Sequence, residues 1–343
     1  MLLQACIAVT RKYHTIDSML IKKICILGGT GFVGRTVANR LAQSGFSLRI
    51  LTRNRERNKN NLILLPGVEL VEADVHDAEQ LKRQFSGCDA VINLVGILNE
   101  RGRNGRGFQR VHVDLMKKII EACAANKINR LLHMSALNAD ADRGPSHYLK
   151  SKGIAENLAH EATRQYGIKA TSFRPSVIFG REDSFFNRFA RLLQIMPLCF
   201  PLACANSRFA PVYVGDVAEA FAQSLADPDC YSHRYNLCGP KVYILQELVN
   251  YTAACIGVNR YIFPLNNVLS RMQAAVFDFV PGKPFSTDNY LSATIDSVCD
   301  CNDLTRFVSL PMSVEAVVPQ YLSHRFQRAR YYQFRSAHRN RSA

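Results

Sequence analysis

Lys22-Lys-Ile-Cys-Ile-Leu-Gly-Gly-Thr-Gly-Phe-Val-Gly34 is the stretch that decides the fold of this chain. Its apolar part, Ile24 to Leu27, is typical of a short buried strand, and an amphipathic segment follows the glycines and ends at Gly45. Glycine allows a tight turn and lets backbone N–H groups approach a pyrophosphate at a helix N-terminus. The order strand, glycine turn, helix therefore predicts a dinucleotide site, although a glycine turn without a ligand stays open. The residues predicted to hold the cofactor here are Gly28, Gly29, Thr30, Gly31, Phe32, Val33, Gly34 and Arg35.

Strand-like and helix-like segments alternate along the first half of the chain. Strands are expected at 24–27, 47–52, 68–73, 89–94, 130–134 and 169–173, and helices at 77–85, 108–126 and 147–166. Such alternation predicts an α/β fold with a doubly wound parallel sheet of the Rossmann type, here over 19–175. After Pro175 the alternation stops, so 176–319 is expected to form a smaller, substrate-facing C-terminal lobe with returning core elements.

Composition limits the classes of protein that fit. The chain has 343 residues, 48% of them apolar, and a net charge of +15, which favours acidic partners. Its 11 cysteines show no zinc-type spacing, and those in apolar runs are interpreted as core residues of a protein from a reducing compartment. We predict no metal site. The interpreted core cysteines are Cys25, Cys88, Cys123, Cys238 and Cys255.

Two end segments stand apart from the predicted fold. Residues 1–18 are interpreted as a loose N-terminal extension, with Met19 as the suspected true start. Residues 320–343 contain six arginines and no acidic residue, interleaved with aromatic and apolar side chains such as Tyr321 and Leu322. This basic aromatic tail suits an anionic membrane surface or an acidic protein, and a solvated tail is an equal alternative. No nucleic acid is expected, because nothing else in the chain resembles a nucleic-acid module.

The end of the second strand bears on the choice of nicotinamide cofactor. NAD is usually held there by an acidic residue, but this strand ends Leu51-Thr-Arg-Asn54, and the first acid is Glu56. An arginine favours a 2′-phosphate, so we predict NADP(H) over NAD(H), with Arg53 and Arg35 as the phosphate contacts. Two solvated surface arginines are the alternative. Further cofactor contacts are predicted at the ends of later strands, at Asp74, Val75, Asn93, Val95, Gly96, Arg174 and Pro175.

A second motif carries the predicted chemistry. Tyr148-Leu-Lys-Ser-Lys152 places a tyrosine and a lysine on one face of a helix. An ammonium beside a phenol lowers the tyrosine pKa, which suits proton exchange with a carbonyl or alcohol. Ser135, at a strand end, is expected to hold the substrate oxygen. Tyr148 and Lys152 are also predicted cofactor contacts, and a surface helix pair without a catalytic role is the alternative.

These motifs together resemble the short-chain dehydrogenase/reductase superfamily in its extended or atypical branch. The resemblance rests on the glycine turn, Asp74, the trio of Ser135, Tyr148 and Lys152, Arg174-Pro175 and the later segment Pro211–Asp216, and it covers roughly 22–260. It implies a nucleotide-binding fold and an oxidoreductase acting on a carbonyl or alcohol.

A narrower resemblance is to the subgroup that contains the NADPH-binding accessory subunit of respiratory complex I and its bacterial and coenzyme-Q-related relatives. It rests on 133–140, 148–153 and 174–189. This resemblance implies NADPH binding, a lipophilic or quinone-related substrate, and a place in the cytoplasm or a matrix-type compartment, peripheral to the inner membrane. It leaves two hypotheses open: an NADP(H)-dependent oxidoreductase, or a non-catalytic accessory or assembly protein that holds the nucleotide structurally.

Overall fold

The computed structural model describes residues 21–59, 62 and 64–323, so the N-terminal extension and most of the basic tail lie outside the described residues. Its centre is a seven-stranded sheet in the order β11-β6-β5-β4-β1-β2-β3, and all its strand pairs are parallel. The strands are β1 (Lys23–Leu27), β2 (Ser47–Thr52), β3 (Val68–Glu72), β4 (Ala90–Asn93), β5 (Arg130–Met134), β6 (Lys169–Pro175), β7 (Ile178–Phe179), β8 (Cys199–Leu202), β9 (Arg208–Phe209), β10 (Val212–Tyr213), β11 (Arg234–Leu237), β12 (Tyr243–Ile244) and β13 (Tyr261–Pro264).

Helices flank the sheet and build the lobe beyond it. They are α1 (Phe32–Gln43), α2 (Arg55–Asn58), α3 (Ala78–Phe85), α4 (Arg106–Phe108), α5 (Leu115–Ala125), α6 (His147–Tyr166), α7 (Phe186–Ile195), α8 (Val214–Ser224), α9 (Leu245–Ile256), α10 (Asn267–Phe277), α11 (Thr287–Ala293), α12 (Leu304–Phe307) and α13 (Val314–Leu322). A π-helical segment, Gln109–Asp114, joins α4 to α5, and a short 3-10 turn spans Pro228–Cys230. Within the described part of the chain, no helix is long and apolar enough to cross a membrane.

The sheet is buried on both faces, which explains its continuous apolar strands. Every residue of β4 and β5 is buried. Alternate strand residues contribute to two apolar cores on opposite faces of the sheet. One core includes residues of α1, α8 and α12, and the other includes residues of α3, α5 and α6. This arrangement confirms the predicted doubly wound parallel α/β fold. Because β1 pairs with both β2 and β4, the strand order reverses beside the glycine turn, where ligands bind in such folds.

The chain after Pro175 forms a third apolar core of its own and also returns to the sheet. Helices α7, α9 and α13 pack around β8, β9 and β13 in this core. The seventh strand, β11, pairs with β6, and α8 and α12 cover one sheet face. The C-terminal lobe is therefore joined to the central sheet by shared elements rather than by a single linker.

Several predicted element boundaries differ from the structure. The expected helix at 108–126 begins at Arg106 and contains the π-helical segment, while β6 continues to Pro175 because it gains β11 as a partner. Tyr321 and Leu322 belong to α13 and are buried in the C-terminal core, so the predicted start of the basic aromatic tail at 320 is wrong.

One predicted core cysteine has a second role. Cys238 is buried, as predicted for a core residue, and it also forms a disulfide with Cys299, with a Cα–Cα distance of 6.0 Å. The bond ties the end of β11 to the segment after α11. Cys25, Cys88 and Cys123 are buried free thiols, and Cys255 is half-buried.

Candidate active site

The glycine turn is a closely packed cradle in which side chains have no room. Gly28 has φ +77°, a left-handed conformation that disfavours other residues. A Cβ on Gly34 would lie 2.2 Å from the Gly28 carbonyl oxygen, and one on Gly29 would lie 2.7 Å from Ile50. Gly31 precedes the first residue of α1, and no side chain caps that helix. The turn therefore offers free backbone N–H groups at a helix N-terminus, which fits the pyrophosphate of a dinucleotide.

The predicted catalytic residues line one cavity beside that turn. It has a volume of about 470 Å³ and is bounded by Ser135, Tyr148 and Lys152 together with Phe32 of the glycine turn. Val33, Gly96 and Pro175, also predicted site residues, line it too. The rest of the wall is mainly aliphatic and aromatic, and much of it comes from the C-terminal lobe, including Phe185, Phe189, Leu192, Phe200 and Phe277. The structure thus brings the reactive groups together in the lining of an apolar chamber.

Burial controls the ionisation of the tyrosine and the lysine. Lys152 is buried, its ammonium donates to the Met134 carbonyl at 2.9 Å, and desolvation lowers its pKa to about 8. Desolvation, followed by the negative charge of Asp288, raises the pKa of Tyr148 to about 12. The prediction that Lys152 lowers the pKa of Tyr148 is wrong for this structure, because burial and the nearby carboxylate outweigh any effect of the ammonium. Tyr148 is therefore a protonated phenol at neutral pH.

Ser135 belongs to a buried polar cluster that the sequence analysis did not contain. Its hydroxyl donates to Glu156 at 2.5 Å, and the Glu156 side chain is 0% exposed. Arg174 and Arg234 also bind this carboxylate, at 2.7 and 2.5 Å. Arg174 is therefore bound to an acid of the protein, which differs from its predicted role as a cofactor contact. The cluster fixes the direction of the Ser135 hydroxyl and leaves the lone pairs of its oxygen for a ligand.

Two further groups position the tyrosine helix. His112, in the π-helical segment, accepts from the Ile97 backbone N–H at 3.2 Å and is 2.8 Å from the Ser151 hydroxyl. Burial, then the charge of Lys152, lowers the pKa of His112 to about 2, so the imidazole is neutral. Asp288 of α11 accepts from the backbone N–H groups of His147 and Tyr148 at 2.7 and 3.2 Å, which caps the N-terminus of α6 from the C-terminal lobe.

A second cavity, of about 490 Å³, lies at the ends of β2 and β3. Arg53 and Asp74, both predicted cofactor contacts, line it with Glu72, His76 and Arg110. Arg53 is exposed and has no hydrogen-bond or ion-pair partner among the described residues. Arg35, in contrast, donates to the Thr30 carbonyl at 2.6 Å and forms an ion pair with Glu182. Arg35 is thus already engaged, and the prediction that it joins Arg53 at a 2′-phosphate gains no support.

The remaining predicted contacts are packed into the sheet edge. Asn93 is buried, and its side-chain oxygen accepts from the Val95 N–H at 3.1 Å. Val75 is 9% exposed and packs with Val95 against one of the sheet cores. A Cβ on Gly96 would lie 3.2 Å from the Lys152 ammonium nitrogen, so a larger residue would crowd the lysine. Among the described residues, no group of three or more His, Cys, Asp or Glu side chains could hold a metal ion.

Three residues of the site were missed from the sequence. Glu156 follows Lys152 by four positions on the same helix, between the apolar residues Ala155 and Ala159, and this carboxylate on a buried face was a usable signal. Arg110 lies in the π-helical segment, and nothing in the neighbouring sequence indicated that it lines the second cavity. Asp288 is 140 residues from Tyr148, so only the tertiary structure reveals the contact.

Comparison with known proteins places this architecture in one family. A sequence model of the NAD dependent epimerase/dehydratase family matches residues 24–238, well over half of the chain. The mitochondrial NADH dehydrogenase [ubiquinone] 1 alpha subcomplex subunit 9 of Mus musculus is 30% identical over 267 residues, which is 76% of this chain and 68% of that protein. The 2-alkyl-3-oxoalkanoate reductase of Shewanella oneidensis is 24% identical over 299 residues, with 74% and 73% covered.

A solved structure agrees with the fold. The epimerase Mth375 of Methanothermobacter thermautotrophicus superimposes with a TM-score of 0.72 over 94% of this chain and 95% of that one, at 16% sequence identity. The resemblance noted from the glycine turn and the Tyr148–Lys152 pair is therefore confirmed at the level of the superfamily and of complex I relatives. On its sequence and its architecture, the chain belongs to the NAD dependent epimerase/dehydratase family of extended short-chain dehydrogenase/reductase proteins.

Proposed function

We propose that the protein is an NADP(H)-dependent oxidoreductase that acts on the carbonyl or alcohol of a lipophilic substrate. The observation that carries this proposal is the single cavity in which Ser135, Tyr148 and Lys152 meet an apolar wall. An apolar chamber with a few convergent polar groups is typical of a small-molecule site. Similarity to the oxoalkanoate reductase supports the reductive chemistry and the lipophilic substrate class.

Each residue of the site has a distinct role in the proposed reaction. The nicotinamide, when bound, supplies or accepts the hydride. Tyr148, with a pKa of about 12, keeps its proton at neutral pH and donates it to the substrate oxygen as the carbonyl is reduced. The buried Lys152 ammonium adds positive charge where that oxygen gains negative charge. The Ser135 oxygen, whose own proton is donated to Glu156, accepts from the hydroxyl of an alcohol substrate or product, and the apolar wall excludes water.

The cofactor preference is a separate part of the proposal. Arg53 and Arg110 line the second cavity, and Arg53 has no partner within the described part of the chain. A guanidinium in this position suits the 2′-phosphate of NADP(H), although Glu72 and Asp74 share the cavity and add negative charge. Among the acids, Glu72 already accepts from the Arg55 N–H at 2.9 Å and Asp74 from the His76 N–H at 2.9 Å.

A binding titration with NADPH and NADH tests the cofactor. We expect NADPH to bind more tightly, and Arg53→Ala to weaken NADPH by roughly 10- to 100-fold, the value of one charge-assisted hydrogen bond, while NADH changes little. Arg57→Ala is the matched control, because Arg57 is an exposed arginine of α2 outside the cavity. Equal weakening of both nucleotides by Arg53→Ala would contradict the assignment.

Turnover tests the catalytic roles. With NADPH and a medium-chain 3-oxo ester, Tyr148→Phe should abolish NADPH oxidation and keep nucleotide affinity. Tyr166→Phe, at the exposed end of the same helix, should retain activity. If Tyr148→Phe leaves the turnover unchanged, Tyr148 is not the proton donor.

The second candidate function is a non-catalytic accessory or assembly protein that holds the nucleotide structurally. The similarity to a mitochondrial complex I subunit favours it, and it also fits a place at the matrix-type face of an inner membrane. The two functions separate in a strain that lacks the protein. An accessory role predicts that Tyr148→Phe restores the cellular phenotype as well as the unaltered chain does, whereas a catalytic role predicts no rescue.

A further inference from the structure

The apolar cavity contains one cation that the catalytic proposal does not use. Arg188 lies on α7 and lines the cavity together with Phe189 of the same helix and Phe185, which precedes it. It is half-buried, whereas Arg191, one turn later, is exposed and does not line the cavity. An arginine in a wall of phenylalanine and leucine side chains is costly unless its charge is compensated.

The protein supplies little compensation for that charge. One guanidinium nitrogen of Arg188 donates to the Pro284 carbonyl at 3.0 Å. No carboxylate pairs with it anywhere in the described residues. Burial, followed by repulsion from Arg191, lowers the pKa of Arg188. Guanidinium N–H groups of Arg188 therefore remain available as hydrogen-bond donors in a partly dehydrated environment. There, a charge-assisted hydrogen bond to an anion is stronger than in water.

We propose that the ligand of this cavity is an aliphatic carboxylate whose head group pairs with Arg188 while its chain occupies the apolar wall. This proposal rests on the proposed site and adds the acidic head group to the substrate class. It explains why a chamber built for an apolar chain contains a guanidinium at one place in its lining. It also orients the substrate, since the head group pairs with Arg188 while the reacting carbonyl or alcohol lies at Tyr148.

Direct binding of dodecanoate and dodecan-1-ol, without nucleotide or turnover, tests the head group. We expect dodecanoate to bind the unaltered protein more tightly than the alcohol, and Arg188→Gln to weaken dodecanoate about 10- to 100-fold while the alcohol changes little. Arg191→Gln is the matched control and should change neither. Equal affinity for the two probes, or equal weakening of both by Arg188→Gln, overturns the proposal. Because no hydride transfer is measured, failure here is distinct from failure of the oxidoreductase assignment.

A different observation concerns the outer side of α10. Its outward residues are apolar and strongly exposed: Val268 is 68% exposed, Met272 59% and Val276 62%. Phe279, just beyond the helix, is 76% exposed. The inward residues include the small Ser270 and Ala274, which are buried, together with Gln273 and Phe277, which line the apolar cavity. We refer to the outward residues 268–279 as the α10 surface.

The α10 surface is bordered by positive charge. Arg271 is exposed on the helix itself, and the Arg103 guanidinium lies 3.7 Å from the centre of the Phe279 ring. The Lys283 ammonium donates to the Gly102 carbonyl at 2.6 Å, which holds the arginine-rich loop 99–107 against the segment after α10. Asp278, the acidic residue directly after α10, is half-buried, and its carboxylate accepts a hydrogen bond from the Thr287 hydroxyl at 2.7 Å. Exposed apolar side chains with a cationic border complement an anionic lipid surface.

We infer that the α10 surface docks on an anionic lipid bilayer. The apolar side chains enter the boundary between head groups and acyl chains, and the border cations contact lipid phosphates. Docking places the helix that lines the cavity directly on the bilayer, which shortens the path of a lipophilic molecule into it. The net charge of +15 favours the same partner over a neutral surface.

Co-sedimentation with vesicles tests this surface apart from the basic tail. The full chain and a chain ending at Ser323 should both bind vesicles of phosphatidylcholine with phosphatidylglycerol, and bind pure phosphatidylcholine weakly. Replacing Val268, Met272 and Val276 together by serine should lower partitioning about ten-fold or more, from the apolar area lost. Leu64→Ser with Leu310→Ser, two exposed leucines elsewhere, is the control.

Two results would overturn this docking surface. One is unchanged vesicle binding of the triple-serine variant, which would leave the tail or general charge as the cause. The other is a concentration-dependent dimer of the unaltered chain, measured by sedimentation velocity, that the same three substitutions abolish, since the surface would then bind a second copy.

Discussion

The buried charge of Lys152 destabilises the folded protein. Replacing Lys152 by methionine should therefore stabilise the protein in a pH-dependent way. Burial lowers its pKa from an ordinary value of 10.5 to about 8. Each pKa unit corresponds to about 1.4 kcal/mol, so below pH 8 the buried ammonium costs about 3 kcal/mol of the free energy of unfolding. Methionine has a similar length and no charge to desolvate.

The sign follows from proton binding. Between pH 8 and 10.5 the unfolded chain binds more protons at this position than the folded one, so the unaltered protein gains stability as pH rises. Lys152→Met removes that gain. The variant should therefore exceed the unaltered protein in free energy of unfolding by the largest amount near pH 6.5. This difference should fall by about 2 kcal/mol by pH 9.5.

Urea denaturation of both proteins at several pH values measures this difference, because contributions from titrating groups that do not interact with Lys152 cancel between them. Lys150→Met is the control, since Lys150 is an exposed residue of the same helix. A stability difference that stays constant from pH 6.5 to 9.5 would refute the reasoning and would mean that Lys152 is solvated or paired in solution.

Three other substitutions probe the site and its support. Gly34→Ala places a Cβ 2.2 Å from a backbone oxygen and should abolish nucleotide binding in a fluorescence titration, whereas Gly102→Ala, whose Cβ would meet nothing nearer than 3.4 Å, should not. Glu156→Gln leaves two arginines without their carboxylate and should cost about 3–5 kcal/mol in urea denaturation, with the exposed Glu161→Gln near neutral. Cys299→Ser should cost about 2–4 kcal/mol in oxidising buffer and nothing after reduction; equal loss in both would argue against the bond.

The local parts of the fold could be predicted because they depend on short-range sequence patterns. Strand β2, strand β5 and helix α6 have the predicted bounds. Their apolar runs and flanking residues, such as Gly167 with φ +69° at the end of α6, suffice to define them. Elements that depend on distant partners were less accurate. The break in the predicted 108–126 helix, for instance, accompanies the packing of His112 against the tyrosine helix.

The gathering of Ser135, Tyr148 and Lys152 around one cavity was foreseeable, since the carboxyl ends of parallel strands share one edge of the sheet. Their ionisation was not. The sequence places a lysine four residues after a tyrosine, and from spacing alone the ammonium should lower the tyrosine pKa. Whether it does depends on water access and on charges from other elements, here burial and Asp288, and no local pattern contains that information.

By itself, the sequence determined the order of strands and helices, the glycine turn and the residue types available for chemistry, because these follow from backbone sterics and hydrophobic periodicity. Only the tertiary structure decided which charged side chains pair with one another. Glu156 accepts a hydrogen bond from Ser135 and forms ion pairs with Arg174 and Arg234. Arg35 forms an ion pair with Glu182 and does not share a phosphate site with Arg53. These pairings link residues up to 147 positions apart, and electrostatic energy depends on distance in space and on burial, neither of which is encoded in local spacing.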